Sequence, residues 1–268
     1  FSGVTLDQIN LNGASAFAAY FSDCSMRGAK LAGANLKDAN LAGALLEGAD
    51  VAGANLEGAR FIGAVLTGCE IERARIEKAD LSGCLRAPVA DGSSLQALGQ
   101  AVASAEAWAR SGGREGTPAL MDQRDLRPLL DGLKGRRLPA MSARGACLVG
   151  MDLTGVELQG ANLENADLRG ATLRGADLRG ARLSGANLVK ADLRGAMLGP
   201  LPISADRSMP TDLTGARLRY AQLQQADLHQ AGLKQADLTG ADVTGADMRE
   251  AMLAGAALDE VEGLHLAA

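Results

Sequence analysis

The sequence points to an all-β solenoid laid out in two blocks and interrupted by a short α-helical segment. Three observations carry that reading. Apolar residues recur at every fifth position over long stretches, Gly is frequent at 34 of 268 residues, and aromatics are only 3% of a chain that is 47% apolar. So much Gly argues against long helices. So little aromatic volume argues for a narrow interior filled by Leu and Ala.

The first block, residues 1–86, shows the period most plainly. Steps of five from Leu6 pass through Leu11, Ala16, Phe21, Leu36 and Leu56 to Ile76 and Leu81, and all sixteen positions are apolar or Ala. Chance would produce that run on the order of once in 10⁵ tries. Two residues before each centre stands a small or apolar residue, with Asp or Asn common between them. An α-helix would smear a five-residue repeat around its cylinder, and a flat strand would put successive centres on opposite faces. The chain must instead turn by the same angle in each unit, so that every centre points at one axis. Gly suits the corners, Asp and Asn can bond local backbone there, and coils would stack about 4.8 Å apart. The period alone leaves three-sided and four-sided coils open.

Segments such as Ala34-Asn35-Leu36-Lys37-Asp38, Ala161-Asn162-Leu163-Glu164-Asn165 and Ala176-Asp177-Leu178-Arg179-Gly180 resemble the A(D/N)LXX motif of the pentapeptide-repeat proteins. The resemblance covers most of 1–86 and of 131–260. It implies a right-handed quadrilateral β-helix with twenty residues per coil, hence rods roughly 20 and 30 Å long. It departs from the family at Ala16, at 199–212 and throughout 87–130.

Residues 87–118 lose the period and are read as a helical insert or cap. Ser93 or Ser94 would cap a helix with Leu95, Leu98, Val102 and Ala105 on its apolar face, Trp108 near its end and Gly112-Gly113 stopping it. Its expected role is to cover an open end of a block or the seam between two; a partner-binding helix is the other reading. The C-terminal solenoid, residues 119–268, restarts unevenly. Met121 and Leu126 keep one phase while Leu133 and Leu138 keep that of Leu148 to Leu198, so a two-residue shift falls around Pro128 to Leu130.

Within 199–212, Pro200, Pro202 and Pro210 forbid regular laddering, yet Leu198 and Leu213 remain in phase. Either a loop bulges out there or a distorted half-coil runs through Ile203 and Ser208; the loop is preferred. Phe1 already sits at a centre. An open apolar end needs a cover, so the expectation is attachment to a missing N-terminal region or an end-to-end homodimer.

No catalytic or nucleotide-binding motif appears, and the reading is of a non-enzyme without cofactor or metal. His229 should face solvent and His265 lies in the tail. Cys24, Cys69 and Cys84 take Ala positions as small buried hydrophobes, whereas Cys147 should face outward. The chain carries 27 basic and 32 acidic residues and a formal charge of -5, which forces no nucleic-acid face. No apolar run is long enough to span a membrane. Charge is nevertheless uneven: residues 131–200 hold ten basic and seven acidic side chains, and 201–268 hold five and ten. Arg174 and Arg194 should stack on one face with Arg169 and Arg179 on neighbouring ones, and Asp227 and Asp247 should stack beside Asp237. Like charges on adjacent rungs repel, which hints at a partner surface formed by these seven residues.

The reading is therefore a protein–protein interaction scaffold with an unidentified protein partner. The resemblance implies a domain of a larger bacterial protein, an effector or secretion-associated adaptor, cytoplasmic or secreted with the larger protein. The alternative that it implies is a mimic of DNA that binds DNA gyrase.

Overall fold

The computed structural model describes residues 1–89 and 92–264, and it divides into two compact units, Phe1–Val89 and the remainder of the chain. In the first unit, residues five apart make parallel bridges to the residue twenty further on, as Asn35 to Asn55, Asn40 to Arg60 and Leu45 to Val65, with one rung, Asp50 to Glu70, missing. A bridge position every five residues within a twenty-residue offset gives a four-sided coil, one pentapeptide per side. That resolves the side count which the period left open.

One unit illustrates why the motif folds this way. Leu36 N–H donates to Asn55 O at 2.8 Å on one neighbouring coil, and Asn35 N–H donates to Ala14 O at 2.8 Å on the other. Ala39 N–H then closes a turn on Leu36 O at 3.0 Å. The third residue of such turns has positive φ, the requirement of a type II turn; Gly58, at φ 68°, meets it without a Cβ penalty. The Asn before the centre accepts the amide two residues on, as Lys37 N–H gives to Asn35 Oδ1 at 3.3 Å and Glu57 N–H to Asn55 Oδ1 at 3.2 Å. Centres and their Ala partners face inward: Leu36, Leu41, Ala34 and Ala39 are no more than 1% exposed. At the Phe1 end the core thins, with Leu6, Ile9 and Leu11 half-buried and Phe1 stacked on Phe21 at 5.7 Å.

The second unit begins with α1 (Gly92–Ser111). Leu98, Val102 and Ala105 join one core cluster with Met121, Leu126 and Leu133, so the helix covers the first coils of this unit. Gly112, at φ 64°, ends it. Two expectations need correction, whereas Trp108 does lie near the end of the helix. Leu95 is 43% exposed and lies off the buried face. Trp108 is half-buried and packs near Gly113 outside that cluster. Ser93 and Ser94 fall within the first turn rather than ahead of it.

The phase shift is real and visible. Leu120 bridges Ser142 and Asp125 bridges Cys147, both 22 apart, after which Arg137 to Glu157 returns to twenty. The extra two residues are absorbed in a 3-10 segment, Arg127–Leu133, where Leu130 takes φ 49° and ψ -123°.

Further along, Asp177 bridges Met197 at twenty, but Arg182 bridges Asp212 and Met197 bridges Asp227 at thirty. The ten added residues form an antiparallel hairpin, β1 (Leu201–Ser204) with β2 (Arg207–Met209). The loop alternative is therefore the correct one. Ile203 is 52% exposed and Ser208 is exposed, so neither acts as a centre. Phase survives because the excursion is two whole pentapeptides long. The prolines exclude the parallel ladder but not antiparallel pairing: Pro202 stands opposite Ser208, where the register shifts.

Candidate interaction surface

Bridges place Asp177, Met197, Asp227 and Asp247 in one column of the second unit. Two residues beyond each stand Arg179, Gly199, His229 and Arg249. The hairpin is rooted in this face, leaving at Gly199 and returning at Thr211. Thr211 is fully buried and replaces the interrupted rung: Gly180 N–H donates to its Oγ1 at 2.9 Å, and the hydroxyl lies 2.9 Å from Gly199 O and 3.1 Å from Leu178 O. A Cβ at Gly180 would lie 2.7 Å from Leu201 Cβ and 2.9 Å from Met209 Cε, so the absence of a side chain there lets the hairpin lie against the coil. Asp227 covers Gly199 in the same way, its Oδ2 2.7 Å from where a Cβ would be. The result is a charged face with a two-stranded projection whose first strand exposes Ile203.

The arginines expected to repel one another are neutralised within the chain. Arg169 forks onto Asp167 (Nε to Oδ1 2.8 Å, Nη2 to Oδ2 2.7 Å), and Arg179 onto Asp177 (2.9 and 2.6 Å). Asp192 serves two arginines, taking Arg194 Nη2 at 2.7 Å and Arg174 Nε at 2.5 Å. Stacked like charges therefore give no sign of a partner. Burial works to raise the Asp177 pKa, but the Arg179 fork and the Arg179 and Gln159 N–H donors outweigh it and hold the carboxyl below its usual range. Asp247, bonded by the Arg249 side chain and amide, is lowered to about 2.

The seven charged candidates do not form one patch. Arg179, Asp227 and Asp247 share the hairpin face, while Arg174 and Arg194 lie on the preceding side. Arg169 follows Asp167, whose column runs to Asn187, Arg217 and Asp237. Asp237 is thus half a coil from Asp227, not beside it. It accepts Thr239 Oγ1 at 2.7 Å, with Arg219 Nε 3.8 Å away.

Cys24 and Cys69 are buried, and Cys84 is half-buried. Burial pushes the Cys69 thiol up to about 11. Cys147 is half-buried, and burial raises its pKa too. The Cys69 and Cys147 thiols are therefore poor nucleophiles near neutral pH. His229 is half-buried, its backbone N–H held by Asp227 Oδ1 at 3.0 Å; His265 lies outside the described residues. Among the described residues no three His, Cys, Asp or Glu side chains are grouped to hold a metal, and no helix is long and apolar enough to cross a membrane.

Sequence reasoning missed Thr211, Gly180 and Gly199. The proline-rich interval marked the place, but the anchor emerges only once the rung that it replaces is known.

The family profile described as pentapeptide repeats matches the chain in eight copies, within 1–83, 142–198 and 211–261. No curated protein is a significant match. Among solved structures, the chain is 25% identical to HetL, a pentapeptide repeat protein involved in heterocyst differentiation regulation from the cyanobacterium Nostoc, over 98% of this chain and 88% of that one, with a TM-score of 0.24. Rfr23 from the cyanobacterium Cyanothece is 26% identical over 47% and 90%, TM-score 0.32. QnrB1, a plasmid-mediated fluoroquinolone resistance protein, is 12% identical over 95% and 87%, TM-score 0.27.

Proposed function

The chain belongs to the pentapeptide-repeat family, and from that premise we propose that it is a non-catalytic protein–protein interaction scaffold. On this reading its coils carry the right hand of the family, and its partner is a protein that grips the hairpin face. The observation that carries the proposal is the hairpin itself. Ten residues leave a ladder that could have closed without them, keep the phase on both sides, and present exposed Ile203 from a base fixed by buried Thr211. Loops held on a rigid scaffold are common binding elements. The interior of the second unit, filled by Leu and Ala side chains, supports a role without catalysis.

Removing residues 200–209 should restore a twenty-residue offset and leave the melting temperature within a few degrees. A partner identified with the intact chain should be lost with this deletion and with Ile203→Asp. Equal retention by all three proteins would refute the hairpin as the contact.

The alternative, a mimic of DNA that binds DNA gyrase, ranks second. It needs a long continuous acidic surface, and here the Asp167, Asp177, Asp192 and Asp247 carboxylates are each tied to an arginine. Gyrase supercoiling inhibited by the intact chain, with no dependence on the hairpin, would reverse the ranking.

A further inference from the structure

One rung of the first unit is open. Elsewhere along this ladder the centre residue donates its N–H to the neighbouring coil, as Leu46 does to Val65 O and Leu56 to Arg75 O, both at 2.8 Å. Val51 does not. Among the described residues its N–H has no acceptor, although Val51 is only 2% exposed. The companion bond is missing as well: Ala49 O lacks the donor that Ala44 O has in Val65 N–H at 2.9 Å. A buried amide without a partner is uncommon and calls for one.

The cause is local. Glu70, which should have supplied both bonds, sits at φ -81° and ψ 69°, the centre of an inverse γ-turn closed by Ile71 N–H on Cys69 O at 3.0 Å. The next corner, Ile71–Arg73, is a 3-10 turn in which Arg73 is not left-handed, and Gly53 N–H donates to Arg73 O at 2.9 Å. Over the gap lies a cavity of about 220 Å³ bordered by Asp50, Val51, Gly68, Glu70 and Arg73. That is an order of magnitude above the roughly 10–15 Å³ that holds one water.

We propose that this slot receives one lysine of an extended partner peptide, by single-rung β-augmentation. The docked residue donates its main-chain N–H to Ala49 O and accepts Val51 N–H at its C=O, the pair of bonds that Glu70 forgoes. The ladder selects its side chain. A residue in this register lies beside Asp50, which is bridged on its other side by Lys30, so a basic side chain continues the alternation of charge. At the rim, Glu70 is exposed and paired with Arg73 at 3.1 Å. The site is in the first unit and does not rest on the hairpin face, so deleting 200–209 leaves it unchanged.

The test is a nuclear magnetic resonance titration of the full chain with acetyl-Ala-Lys-Ala-amide and with its analogue N-methylated at the lysine. Arg73→Gly, which permits the left-handed corner used elsewhere, serves as the closed-rung control. At saturation the unmethylated peptide should move the Val51 amide proton downfield and slow its exchange about tenfold. The methylated peptide should do neither, and Arg73→Gly should respond to neither peptide. A Val51 amide that ignores the peptide, equal responses to the two peptides, or an Arg73→Gly response like that of the parent chain would overturn the proposal.

Discussion

Arg179 stands two residues beyond Asp177 and closes a fork on it, Nε to Oδ1 at 2.9 Å and Nη2 to Oδ2 at 2.6 Å, while Leu178 between them points into the core at 1% exposure. Three consecutive residues thus divide between interior and surface, and substitutions should separate the two roles. Leu178→Arg places a charge among packed coils and should cost at least about 3 kcal/mol. Arg179→Ala should cost about 1 kcal/mol, because it strips a 5% exposed Asp177 of its main partner while Arg179 itself is screened by solvent. Denaturant unfolding of both variants measures the gap, and equal losses would place Leu178 outside the core.

Thr211 offers a second test. Thr211→Val keeps the shape but leaves Gly180 N–H with only the long 3.4 Å contact to Gly199 O. A loss of about 1–3 kcal/mol is expected, the penalty of a buried unsatisfied donor. Thr211→Ser retains the hydroxyl and should recover most of it. A harmless Thr211→Val would mean that the hairpin base is held by packing alone.

The spacing of apolar residues displayed the coil, the phase shift and the irregular interval, since each leaves a mark on a period of five. Other features left none. The repulsion expected between Arg174 and Arg194 disappears because Asp192 reaches both, a pairing set by neighbouring rungs and not by adjacency in the chain. Asp237 lies away from Asp227 because ten residues are two sides of a four-sided coil. Leu95 has the helical spacing of a buried residue but sits one turn short of the core cluster. The open rung at Val51 was hidden for the same reason: the apolar period continues through Ile71 while the backbone around Glu70 does not.

Leu130 is the point where two extra residues are forced into a corner. Its φ of 49° with ψ of -123° suits Gly far better than a branched side chain, and its side chain is 74% exposed, so little packing would be lost. Leu130→Gly should raise stability by about 1 kcal/mol after the added freedom of the unfolded chain is counted. Thermal unfolding gives the sign directly, and a decrease would show that the corner is relaxed with leucine.

Asp152 provides a pH test. The Lys134 ammonium bonded to its carboxylate at 2.6 Å, helped by Thr154, lowers its pKa from 3.8 to about 2. The folded value lies below the unfolded one, so this contribution to stability is present above about pH 4 and lost as pH falls through about 2. Carboxylate chemical shifts should show that low midpoint, and Lys134→Met should move it back toward 3.8. An unmoved midpoint would assign the shift to the Thr154 contacts.

The convergence of pentapeptide centres on one axis is tested most directly by through-space proton contacts in the full chain. Backbone contacts between neighbouring coils should link residues twenty apart, such as Asn35 and Asn55, then 22 apart at Asp125 and Cys147, and thirty apart at Met197 and Asp227. Contacts confined to residues three and four apart, or a twenty-residue spacing unbroken at the last two sites, would contradict the coil described for this chain.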